Sequence, residues 1–119
     1  MIRRRLPQDM YNRCTTFLYG SVEEINRTLK RECPREFVPL LPSCRGHWHA
    51  YPHNGRQADY ICVVKGGRRD YRMAVLAHEA LHLVVNALDI AGVRLTGESE
   101  EAYTYYQQWI VTQCARLMP

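Results

Sequence analysis

"AHEALHLVVNALD", residues 77–89, decides how the rest of the chain is read. Leu76, Leu81, Val84, Val85 and Leu88 are the apolar surroundings of a run that reads as buried helix. Two histidines, His78 and His82, stand four residues apart within it, and Glu79 follows the first. On a helix that spacing sets two Cβ atoms about 6 Å apart on one face. Two imidazoles so placed can each approach one Zn²⁺ at about 2.1 Å. Glu79, a quarter of the way round the helix, is off the ligand line but within reach of a water beside the ion. This is the HExxH arrangement: two ligands and a general base. The rival reading is a core helix with an ordinary hydrogen-bonded histidine pair, because ionisable rings need partners when buried.

Working outward, "RRDYRMAVLAHEALHLVVNALDIAG" reads as one long helix, with Gly92 placed to stop it. "VRLTGES" is a short connector. "EEAYTYYQQWIVTQCARL" is a final helix, capped by Thr96 or Ser99, with two glutamates in its first turn where the helix dipole favours them. Upstream, "GHWHAYPHNGRQADYICVVKGG", residues 46–67, predicts a hairpin around Asn54-Gly55. "NRCTTFLYG", residues 12–20, reads as a strand. "SVEEINRTLKREC", residues 21–33, is a helix with a Ser21–Glu24 capping box and Val22, Ile25 and Leu29 on one face. "PREFVPLLPS", residues 34–43, holds three prolines and must be a loop or an extended crossing. The order strand, helix, strand, strand, helix, helix predicts an α+β protein with a small antiparallel sheet.

Composition sets the frame. The 119 residues, 46% of them hydrophobic, suit one domain over 1–119 with a modest core. The longest apolar run, Leu81 to Leu88, is broken by His82 and Asn86, so no membrane span or membrane partner is expected. "MIRRRLPQDM" has positive charge with no apolar stretch behind it; residues 1–10 read as a flexible basic arm, not a secretory signal. The five cysteines are odd in number, widely spaced and free of any CxxC pair, which predicts reduced thiols and a cytosolic setting. The net charge of +4, with clusters at Arg3, Arg4 and Arg5 and at Arg68, Arg69 and Arg72, suits either a nucleic acid or a plain solvated surface. No helix-turn-helix, zinc-finger or RNP pattern supports the former.

A catalytic zinc usually takes three protein ligands and a water. The next acidic cluster is Glu98, Glu100 and Glu101, and eighteen residues separate His82 from Glu101. A helix end, a reversal and an antiparallel return fit that separation. HExxH, eighteen residues and then Glu resembles the gluzincin metallopeptidases, and "EEAYTYY" is similar to their glutamate helix. The chain resembles more closely small phage and prophage proteins in which HExxH precedes Glu-Ala-Tyr-like text and a Gln-Trp-aliphatic continuation; "EAYTYYQQWIV", residues 101–111, is of that type. The resemblance covers residues 72–111. It implies a minimal zincin-like domain with an N-terminal helix, an HExxH helix and a C-terminal glutamate helix. It also implies His78, His82 and Glu101 as zinc ligands and Glu79 as base. Glu98 and Glu100 are rival ligands, and a glutamate serving only the helix dipole is the plainer account of Glu101.

Two departures stand out. Thermolysin-type gluzincins carry an aspartate four residues after the third ligand, and Tyr105 stands there in this chain. Eighteen residues follow Glu101, too few for the lobe that donates an oxyanion-stabilising side chain in those enzymes. Tyr103, Tyr105 and Tyr106 are the candidate substitutes, in the oxyanion or second-ligand-shell role, against their reading as a core aromatic stripe.

The function expected on these grounds is zinc-dependent hydrolysis of a peptide or related amide bond by a metallopeptidase-like phage protein. An extended substrate would lie along an exposed sheet edge. The alternative is a zinc-stabilised virion, assembly or interaction protein without turnover; a third is an adaptor or inhibitor acting on a host protein. The partners would be a peptide or protein substrate, or other phage structural proteins, in the bacterial cytoplasm or the virion. Cys44, His47 and His49 offer a second metal site, since His47 and His49 share one face of a strand. The plainer alternatives are an exposed strand face with Trp48 turned inward, or histidines lining the cleft. "KGGRRD", residues 65–70, reads as a phosphate cradle or a simple turn.

Overall fold

The run Tyr60–Val64 lacks polar alternation, the mark of a strand covered on both faces. In the computed structural model, which describes residues 1–9, 11–53 and 56–119, it ends strand β4 (Arg56–Val64). The other strands are β1 (Ile2–Arg5), β2 (Cys14–Gly20) and β3 (Gly46–His53), in the order β1-β2-β4-β3. Three helices complete the chain: α1 (Val22–Glu32), α2 (Arg69–Ile90) and α3 (Glu100–Ala115). Asn54 and Gly55, the predicted hairpin turn, lie outside the described residues.

The protein is α+β, but its four-stranded sheet is mixed, which corrects the antiparallel expectation. β1 with β2 and β3 with β4 are antiparallel, whereas β2 and β4 run parallel, Phe17 opposite Ile61. The reason lies in β4. Its Tyr60–Val64 run is buried on both sides, so the strand takes a covered central place. α1 and residues 33–45 return the chain so that the second strand of the hairpin, not the first, inserts beside β2.

Ile61, Val63 and Phe17 pack on one face against Leu76, Ala80, Leu83, Val84 and Ile110 of α2 and α3. Leu18, Tyr60, Cys62 and Val64 pack on the other against Val22, Ile25 and Leu29 of α1. Residues 2–5, read above as part of a flexible arm, form the edge strand β1. Arginines at a sheet edge discourage pairing with other chains, and Arg3 bonds Glu32 at the end of α1.

Helix ends follow their local chemistry. Ser21 and Glu24 form the expected capping box of α1. α2 closes on Gly92 at φ 79°, with Val93 N–H donating to Leu88 O and Gly92 N–H to Asp89 O. α3 has Ser99 as its N-cap residue without a side-chain capping bond; Ser99 Oγ bonds Arg94 O instead. By length and composition α2, at 22 residues, is apolar enough to cross a membrane, which departs from the sequence expectation. Here its Leu76, Ala80, Leu83, Val84, Ala87 and Leu88 face the sheet and α3.

Candidate metal centre

α2 lies across the end of the sheet where β3 forms the outer strand, and this crossing builds the site. His78 and His82 are exposed on the free face of α2. Their rings meet edge to face with centroids 4.9 Å apart, and the two Nε2 atoms are 3.2 Å apart. Two ligands on one tetrahedral ion, each at about 2.1 Å, have nitrogens roughly 3.4 Å apart. The pair therefore fits two positions of a zinc site.

Glu79 lies in the contact between α2 and β3, lines an open pocket there together with His78 and Gly46, and is only 9% exposed. A Cβ placed on Gly46 would stand 3.1 Å from both Glu79 Cγ and Oε1, so the absence of a side chain at Gly46 makes room for this carboxylate. Burial pushes the Glu79 carboxyl above its usual range. His78, His82 and the backbone N–H of Trp48 pull it the other way.

Trp48 is the principal site residue whose role the sequence reading left undefined. It projects from β3 to the α2 side, and its indole lies along the His82 imidazole with ring centroids 6.1 Å apart and planes inclined by 14°. Its Nε1–H donates to Asp59 Oδ1 at 2.9 Å. Asp59, 1% exposed, also accepts from Arg13 Nε at 2.7 Å and Arg13 Nη2 at 2.6 Å. Arg13 Nη2 donates further to Asn86 Oδ1 at 2.9 Å, one turn beyond His82. Burial raises the Asp59 carboxyl, opposed by the bonds from Arg13 and Trp48. A lone acid, Asp59, just before the two-sided apolar run was the one available signal.

The third ligand is not brought in. Among the described residues no group of three or more His, Cys, Asp or Glu side chains converges to hold a metal ion. Glu98, in the turn before α3, and Glu100 and Glu101, in its first turn, are all exposed. The buried row of α3 is Tyr103, Tyr106, Ile110 and Cys114, and Glu101 lies about 160° around the helix from Tyr103. The tyrosines are also accounted for. Tyr103 is buried, and its hydroxyl donates to Val93 O. Tyr106 is buried and bonds Asp9, while Tyr105 is 66% exposed.

An open groove of about 660 Å³ runs from the histidines along α2, lined by Trp48, Leu81, Val85, Asn86, Leu95 and Tyr103 among others. His47 and His49 do not line it. They pair with Cys62 and Tyr60, on the α1 side of the sheet, and join no metal-binding group with Cys44. Trp48, as expected, points to the opposite face. Residues 65–68 connect β4 to α2, which begins at Arg69, and Arg72 donates to the carbonyls of Gly66 and Gly67 and, at 2.7 Å, to that of Pro119. Neither a family model, nor a curated protein, nor a solved structure matches this chain.

Proposed function

We propose that the protein is a zinc-dependent hydrolase of peptide or related amide bonds, with His78 and His82 as metal ligands and Glu79 as general base. The observation that carries this reading is the 3.2 Å approach of two exposed Nε2 atoms beside a nearly buried carboxylate. Two imidazoles gain little from such an approach in water unless a shared proton or a shared metal ion draws them together. Zinc held there supplies Lewis-acid polarisation of a carbonyl and acidifies a water. Glu79 accepts the proton from the attacking water and returns it to the leaving amine. Its burial against β3 raises its hold on that proton and keeps the side chain in place. β3 is the outer strand on this side, so an extended substrate can add to it through backbone bonds. A phage source, a virion location and Glu101 as third ligand rest on the resemblance of residues 72–111 alone.

The tie between Glu79 and β3 favours a second reading: a zinc-stabilised structural or interaction protein, in which Glu79 serves the fold and nothing turns over. The experiment is metal analysis of the full chain purified without chelator, with cleavage of a fluorogenic peptide library by the parent and by Glu79→Gln. One zinc per chain, with cleavage lost in a folded Glu79→Gln variant, supports the enzyme. Zinc with no cleavage by either protein supports the structural reading. No zinc, and no uptake of added zinc, overturns both.

A further inference from the structure

We infer that Trp48, anchored by Asp59 and Arg13, is the positioning residue that sets the ring of His82 for metal binding; this rests on the zinc reading above. A histidine ligand ordinarily has its second ring nitrogen bonded to a carboxylate or carbonyl, which fixes the ring plane. Among the described residues nothing hydrogen-bonds the second nitrogen of His82, whose one polar ring contact is Nε2 with His78. Tyr105, at the position where the gluzincins that residues 72–111 resemble carry an aspartate, is 66% exposed.

The plane of the His82 ring is held through its face instead. The indole lies 14° from parallel to it, with centroids 6.1 Å apart, within the range of favourable offset stacking. A stacking partner positions a ring only if it is itself fixed. Trp48 is fixed by its 2.9 Å bond to Asp59, which two Arg13 hydrogen bonds hold in turn. Arg13 then returns to α2 at Asn86, four residues after His82. His82, Trp48, Asp59, Arg13 and Asn86 thus form a closed circuit from α2 through the sheet and back. Arg13 and Asp59 are 3% and 1% exposed, so water does not loosen the circuit. Trp48 joins the candidate ligand directly to the buried Asp59–Arg13 pair.

The test uses the full chain with Trp48→Phe, which keeps an aromatic face but loses the Nε1–H anchor, and Trp48→Leu, which loses the face. Two readouts are needed: Zn²⁺ affinity by competition with a chromophoric chelator, and the His82 Hε1 shift in the metal-free protein. We expect Trp48→Leu to bind Zn²⁺ about tenfold more weakly, and Trp48→Phe to fall between it and the parent. We expect the ring-current displacement of His82 Hε1 to vanish in Trp48→Leu. Circular dichroism checks the fold, and if Trp48→Leu does not fold, Trp48→Phe decides alone. Folded variants with parental affinity and an unmoved His82 resonance overturn the inference. If His82→Ala binds Zn²⁺ as tightly as the parent, the zinc reading falls, while the resonance still shows whether Trp48 orients the ring.

Discussion

Gly46 on the edge strand and Val75 on the long helix meet so closely that a Cβ on Gly46 would stand 2.4 Å from Val75 Cγ1. No real carbon pair tolerates that distance, so β3 and α2 are in contact because position 46 has no side chain. The same contact encloses Glu79. Gly46→Ala must push the strand from the helix, and we expect a loss of roughly 1–3 kcal/mol in urea unfolding. The penalty should be smaller in a Val75→Ala background. Equal penalties in both backgrounds would show that Val75 is not the obstacle.

The Arg13–Asp59 pair predicts a larger effect. Both side chains are buried, and Arg13→Met leaves the Asp59 charge with Trp48 as its remaining side-chain partner. Removing one member of such a pair costs about 3–5 kcal/mol. Chemical unfolding should show Arg13→Met/Asp59→Leu to be less damaged than Arg13→Met, because the double variant buries no lone charge.

Arg3 and Glu32 join β1 to α1, and their hydrogen bonds hold the Glu32 carboxyl below its usual range, against the opposing effect of burial. A carboxylate with a lowered folded pKa adds stability above its unfolded pKa and loses it as pH falls through the folded one. The parent should exceed Glu32→Gln in stability at neutral pH, and the gap should close in acid below the ordinary glutamate range. The bridge is partly exposed on the arginine side, so the gap should stay under about 1 kcal/mol and shrink with salt. A gap that widened in acid would contradict the pairing.

Thiol reactivity should follow burial. Cys33, Cys62 and Cys114 are buried, whereas Cys14 and Cys44 are half-buried. Burial pushes the Cys33 thiol up to about 11 and the Cys114 thiol up to about 12, so neither offers thiolate at neutral pH. Titration with a disulfide reagent should give at most two fast thiols in the folded chain and five after unfolding.

The position of Glu101 is testable through the metal. On the present geometry Glu101→Gln should change Zn²⁺ affinity little, and His82→Ala should reduce it at least about tenfold. A comparable loss in Glu101→Gln would mean that the first turn of α3 swings to the histidines when zinc binds.

What was legible in the chain is what local chemistry controls. The capping box at Ser21 and Glu24, the Gly92 stop and the 46–64 hairpin strands all appear where residues a few positions apart dictate them. β1 was not legible, because "IRRR" has no strand signal of its own and becomes one by pairing with Thr16–Tyr19. The parallel β2–β4 pairing was written in the two-sided apolar run of β4, yet hairpins usually signal antiparallel neighbours. Glu101 was chosen by its separation from His82, and separation says nothing about which side of α3 it faces.

The sequence by itself determined the helices, the hairpin strands and two imidazoles one turn apart on α2, since i to i+4 geometry belongs to the helix alone. Only the tertiary structure decided that Trp48 would lie on His82, that Glu79 would pack beneath Gly46, and that His47 and His49 would face the far side of the sheet. These depend on strand order and helix crossing. Arg13 finds Asp59 and Asn86 across separations of 46 and 73 residues, and no local pattern encodes which distant side chains a closed core will bring together.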